Sequence, residues 1–194
     1  MTVWSILAPG PSLALWSHET FQAKGPVVAV NNAVLSPLPS DIWCCQDPPA
    51  KFNAVWALMP PEARRRTLVW CRESLREAWE ELGMRVWSHP VSETEFQAEF
   101  VANPVKVHYT SLTITTAMAR VIGMGAERVE LYGCDMTGDH YAYGNDNRNR
   151  APKVWQARWQ DEPRTFDLVV QQWEALGIKV VRMNPPVPVN ARKR

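Results

Sequence analysis

Short runs of apolar and β-branched residues recur along this chain, separated by stretches whose apolar positions return every three or four residues. The runs at residues 3–7, 27–30, 42–45, 67–71, 85–87, 129–132 and 179–181 predict strands. Most are continuously apolar rather than alternating, the pattern of strands covered on both faces, as in a parallel sheet. Leu75, Ala78, Trp79 and Leu82 fall on one helical face with Gly83 as a stop, and Phe166, Val169, Val170 and Trp173 repeat the arrangement before Gly177. Residues 111–122 are apolar on most sides and predict a helix buried against the sheet. Strands alternating with helices imply a doubly wound α/β fold. We expect a mainly parallel sheet of about six to seven strands with helices on both faces and right-handed crossovers.

A length of 194 residues suits one full-sized domain, expected over 1–184, with a basic tail at 185–194. Residues 137–164 are polar and long for a connection, which reads as a lid-like loop or a partly disordered one. Hydrophobic residues make up 46% and charged residues 21%, so the chain is not largely disordered. Lys plus Arg is 21 against 20 Asp plus Glu, so nothing marks a duplex nucleic-acid binder. Cys44, Cys45, Cys71 and Cys134 sit in or beside apolar runs without metal-ligand spacing and read as buried, reduced thiols. No run is long enough to span a bilayer and no leader pattern opens the sequence, so a cytoplasmic protein is expected.

In an open parallel sheet, ligands bind outside the carboxyl ends of the strands. The first predicted strand ends at Gly10, Pro11 and Ser12, where glycine permits close approach and the serine can cap a helix or meet a phosphate. Neither GxGxxG nor a P-loop is present. Asn31 and Asn32 end the second strand, with amides suited to a base or sugar, or simply to an Asn-stabilised turn. Asp47 ends the third and can hold a ribose hydroxyl or cap a turn. Thr110 and Ser111 open the buried helix as an anion site or an ordinary N-cap. Gly133 and Asp135 end the next strand, and Asp139, His140 and Tyr141 follow, the densest titratable group in the chain. His18 reads as solvated in a polar helix and His89 as part of a turn before Pro90, while His108 lies beside the Thr110 corner. Of the ten tryptophans, Trp4, Trp43, Trp70, Trp79, Trp87 and Trp173 read as core. Trp155 and Trp159, among Arg148, Arg150, Arg158 and Arg164, either stack on a ring or pin the loop.

In order, residues 6–13 (Ile-Leu-Ala-Pro-Gly-Pro-Ser-Leu), 28–32 (Val-Ala-Val-Asn-Asn), 110–112 (Thr-Ser-Leu) and 130–136 (Glu-Leu-Tyr-Gly-Cys-Asp-Met) form a series. It resembles two related groups over most of the chain: the Campylobacter-type bacterial sialyltransferases, and the archaeal pterin diphosphokinases with the motility accessory factors. The resemblance implies a Rossmann-like fold in which Gly10, Pro11, Ser12, Asn31 and Asn32 line a nucleotide site. Thr110 and Ser111 would face the nucleotide, Asp135 would lie near the sugar, and Tyr141 or Tyr143 would hold the departing phosphate. The sialyltransferases carry a general-base His before the last helix; residues 155–165 here contain none, leaving Asp161, Glu162 or His140 as substitutes. The accessory helices of the longer relatives are missing, so the resemblance implies a pared-down member, of the sort often found in phage genomes. The leading expectation is a metal-independent, cofactor-free glycosyltransferase taking a nucleotide sugar and an unidentified acceptor, whose proton Asp135 or His140 would take, with a homo-oligomer among its expected states. Two alternatives stand beside it: a diphosphokinase binding Mg²⁺ through Asp47, Asp135 and Asp139, and a non-catalytic nucleotide-binding module.

Overall fold

The computed structural model describes residues 1–89, 112–136, 142–143 and 152–185. Seven strands form one sheet in the order β5-β4-β3-β2-β1-β6-β7. They are β1 (Val3–Leu7), β2 (Val27–Val30), β3 (Ile42–Cys44), β4 (Leu68–Arg72), β5 (Arg85–His89), β6 (Arg128–Tyr132) and β7 (Lys179–Arg182). Every neighbouring pair is parallel. The fold is thus α/β and Rossmann-like. Continuous apolar runs became strands because helices and turns cover both faces.

Side-chain alternation sorts the strand residues onto two faces. Trp4, Ile6, Val28, Val30, Cys44 and Trp70 point to one, where helices α4 (Thr113–Gly123) and α5 (Pro152–Ala175) pack through Ala117, Met118, Val121, Phe166, Val169 and Trp173. On the other face lie two further clusters. Leu7, Ala29 and Tyr132 meet the 3₁₀ turns Pro11–Leu15 and Asn31–Leu35, contributing Leu13 and Ala33. Trp43, Val69 and Cys71 meet α1 (Asn53–Leu58) and α3 (Arg76–Glu80), contributing Val55 and Trp79. The short helix α2 (Pro61–Arg66) precedes β4. Trp43 packs edge-on against Trp79 at 5.0 Å and Phe52 at 5.4 Å. Such pairs add about 0.5–1.5 kcal/mol each beyond the area they bury.

Several local expectations are corrected. Helix α5 begins at Pro152, inside the stretch read as a polar loop, because its first turns lack the apolar stripe that announces a helix. His89 is not in a turn; it ends β5 and is 2% exposed. Trp87 is not core: it lies on an edge strand and is 41% exposed. His18 sits in an exposed turn rather than a helix. All four thiols are free and buried. Burial pushes Cys44 and Cys134 up to about 12 and Cys71 up to about 11, so these sulfurs stay protonated and unreactive near neutral pH. No helix among the described residues is long and apolar enough to cross a membrane.

Candidate functional site

Strand β1 is the point where the winding reverses. β2 to β5 build outward on one side of it, and β6 and β7 on the other. In such sheets the crevice beyond the carboxyl ends of the two central strands receives the ligand. Here it lies between the loops after β1 and β6, which are joined tightly. Ala8 N–H donates to Tyr132 O at 2.7 Å, Gly10 N–H to Gly133 O at 2.9 Å, and Ser12 N–H to the Asp135 carboxylate Oδ2 at 2.8 Å.

Glycine is required at two of these positions for different reasons. Gly133 has φ +67°, and a Cβ there would run into Ala8 O and come within 2.7 Å of Leu13 Cβ. At Gly10 the backbone is ordinary, but a Cβ would collide with Asp135 Oδ2 and Gly133 O. Met136 follows Asp135 with φ +52°, an uncommon conformation for a side-chain-bearing residue and one found disproportionately at functional sites. The chain then returns to the first loop, where Ala142 N–H donates to Pro9 O at 2.9 Å and Tyr143 packs against the Leu13 cluster.

Gly10, Pro11, Ser12, Gly133 and Asp135 are therefore brought together. Ser12 does not act as a helix cap: it lies inside the 3₁₀ turn Pro11–Leu15, whose N-cap is Gly10 and which has no side-chain cap. One strand along, Asn31 has φ +48° and accepts a hydrogen bond from Trp43 Nε1 at 2.9 Å through its main-chain oxygen. Its Nδ2 reaches Thr113 Oγ1, at the start of α4, at 3.4 Å. Its Oδ1 is buried without a hydrogen-bond partner among the described residues. That acceptor suits a donor supplied by a ligand, such as an exocyclic amine or a sugar hydroxyl. Asn32 is buried behind it.

Asp47 stands apart, held by Lys51 at 2.5 Å. It follows β3, three strand spacings from β6 and so about 14 Å from Asp135, too far to share an ion. Thr110, Ser111, His108, Asp139, His140 and Tyr141 lie outside the described residues, as do Arg148 and Arg150.

Sequence reasoning missed a second polar cluster, beside β4 and β5. His89 is buried at the end of β5, and neither ring nitrogen has a hydrogen-bond partner among the described residues. Beside it, the Arg120 guanidinium from α4 stacks over Trp87 at 4.0 Å and faces Trp70 at 5.5 Å. Its Nε and Nη2 are likewise buried and unpartnered among those residues. The signal was present: Arg120 is the one charge in the otherwise apolar or hydroxylic helix Thr113–Gly123.

Burial, reinforced by the Arg120 charge, pushes the His89 imidazole from 6.5 down to about 3. Between those values the unfolded chain takes up a proton that the folded chain excludes. Stability is therefore expected to fall as pH drops below about 6.5, by up to roughly 1.4 kcal/mol per unit from this group. Urea unfolding across that range should show a shallower acid loss in His89→Leu than in the wild type. Parallel profiles would mean that His89 is not held neutral by the fold.

The architecture defines a doubly wound, all-parallel α/β domain of Rossmann-like arrangement. No family model matches the chain, and no curated protein matches it. Among solved structures, it is similar to a point variant of the sialyltransferase Cst-II in complex with CMP. That match has 15% identity and a TM-score of 0.60, covering 98% of this chain and 84% of the other. It is also similar to the sialyltransferase CstII from Campylobacter jejuni in complex with the substrate analogue CMP-3FNeuAc. Here the identity is 13% and the TM-score 0.57, with 98% and 84% covered. At such identities the likeness is one of fold.

Proposed function

We propose that this chain is a glycosyltransferase that takes a cytidine-monophosphate-linked sugar and binds its nucleotide across the ends of β1, β2 and β6. The observation that carries this reading is the junction of the first loop with Gly133 and Asp135 at the switch point. It draws the loops after β1 and β6 together, with Ser12 at the junction, beside the crevice where open α/β sheets take their ligands. The Asn31 Oδ1 acceptor, one strand away, supplies a hydrogen-bond partner for the base or sugar. The fold shared with CMP-bound sialyltransferases supports the choice of nucleotide.

In this reading the Ser12 hydroxyl meets the leaving phosphate, and Asp135 holds the first loop in place through the Ser12 N–H. Tyr143 packs beside the first loop, which supports a part for it there, and the proposal extends to Tyr141 and His140. Transfer would need no metal ion. The separation of Asp47 from Asp135 weighs against the Mg²⁺-dependent diphosphokinase reading, which relied on both.

Incubation with CMP-sugar donors and a panel of glycan acceptors, with CMP release followed in EDTA and in Mg²⁺, tests the reaction. Release in EDTA supports it; phosphoryl transfer from ATP requiring Mg²⁺ would replace it. CMP binding without turnover would reduce the chain to a binding module. Ser12→Ala keeps the main-chain amide that Asp135 holds and removes only the hydroxyl. Its affinity for CMP is expected to drop about tenfold by titration calorimetry, the effect of one hydrogen bond to a charged group. Unchanged affinity would remove the Ser12 hydroxyl from the phosphate site.

A further inference from the structure

We propose that Arg120 and His89 form a second ligand subsite, one that binds the carboxylate of a small organic acid beside β4 and β5. The inference stands independently of glycosyl transfer.

The geometry of Arg120 sets the ligand's shape. Nε and Nη2 are the two nitrogens whose N–H bonds project side by side in the guanidinium plane, and both are buried and unpartnered among the described residues. Trp87 covers a face of that plane at 4.0 Å, and Trp70 stands at 5.5 Å. In the plane, the two parallel donors match the two oxygens of a carboxylate.

Charge decides between anions. A part-buried guanidinium favours a counter-charge, and no carboxylate of the described residues pairs with it. The neighbouring Cys44 is kept protonated by burial and brings none. His89, excluded from protonation by the same burial, adds no second positive charge but keeps one N–H to donate. One cation and one neutral donor suit a monoanion better than a phosphate dianion. Trp87, which covers the guanidinium, is itself 41% exposed on the edge strand.

The test uses the full chain and sodium acetate, with sodium chloride and sodium phosphate at matched ionic strength. Acetate is expected to raise the Tm saturably and to move a single Arg ¹⁵Nε–H resonance downfield in the wild type. Arg120→Lys keeps the charge and loses the paired donors, so its acetate affinity is expected to be about tenfold to hundredfold weaker. Arg120→Gln should lose the response altogether. A wild type that responds to acetate no more than to chloride overturns the proposal, as does an equal response in Arg120→Gln. A stronger response to phosphate than to acetate overturns the assignment to carboxylates. The resonance shift needs no variant, so a poorly folding substitution leaves the proposal falsifiable.

Discussion

Gly133→Ala is expected to destabilise the chain by about 2–5 kcal/mol and to abolish nucleotide binding. Two costs combine. Holding a non-glycine residue at φ +67° costs about 1–2 kcal/mol. The added methyl also meets the Ala8 carbonyl and Leu13 Cβ, and such overpacking costs typically about 1–3 kcal/mol. Neither neighbour can retreat freely. Ala8 is bonded to Tyr132 O, Gly10 to Gly133 O, and Leu13 is fully buried. Relief would come only by parting the loops after β1 and β6. Gly125→Ala separates the two costs, because Gly125 has φ +87° but a methyl added there meets nothing within 4 Å. It should lose only the conformational share and bind nucleotide normally. Equal losses in urea unfolding for both variants would show that the two loops are not locked together.

Asp135→Ala is expected to weaken CMP binding at least tenfold and to lower stability by about 1–3 kcal/mol, the cost of leaving the part-buried Ser12 N–H without its acceptor. Asp135→Asn should recover most of that stability, since its amide oxygen can still accept from Ser12. The carboxylate charge is thereby separated from the hydrogen bond. Full stability with lost CMP release would give the charge a direct part in transfer. Recovery of both would confine Asp135 to holding the phosphate loop. An alanine variant with wild-type stability and affinity would contradict any role for the Ser12 contact.

The strands were legible because burial on both sheet faces leaves unbroken apolar runs, and runs such as 3–7, 27–30 and 129–132 can be read one residue at a time. The buried helix Thr113–Gly123 declared itself in the same way. Partners distant in sequence were not legible. Ser12 and Asp135 are 123 residues apart, and only strand order brings β6 beside β1. Asp47 looks equivalent to Asp135 as an acid at a strand end, yet sheet order separates them and an i,i+4 lysine occupies it. Trp87 reads as core until β5 is known to be an edge strand. His89 reads as a turn residue because Pro90 follows, although a residue before proline favours extended backbone as readily as a turn. The start of α5 escapes because helical propensity without an apolar stripe leaves no periodic mark.

Titration calorimetry of CMP into the full chain in EDTA tests the central claim most directly, with Gly10→Ala as the comparison. A methyl at Gly10 collides with Gly133 O and the Asp135 carboxylate and so parts the two loops that hold Ser12 at the proposed phosphate site. The account expects saturable, metal-independent CMP binding that is lost in the variant. No CMP binding by the wild type, or binding unaltered by Gly10→Ala, would contradict it.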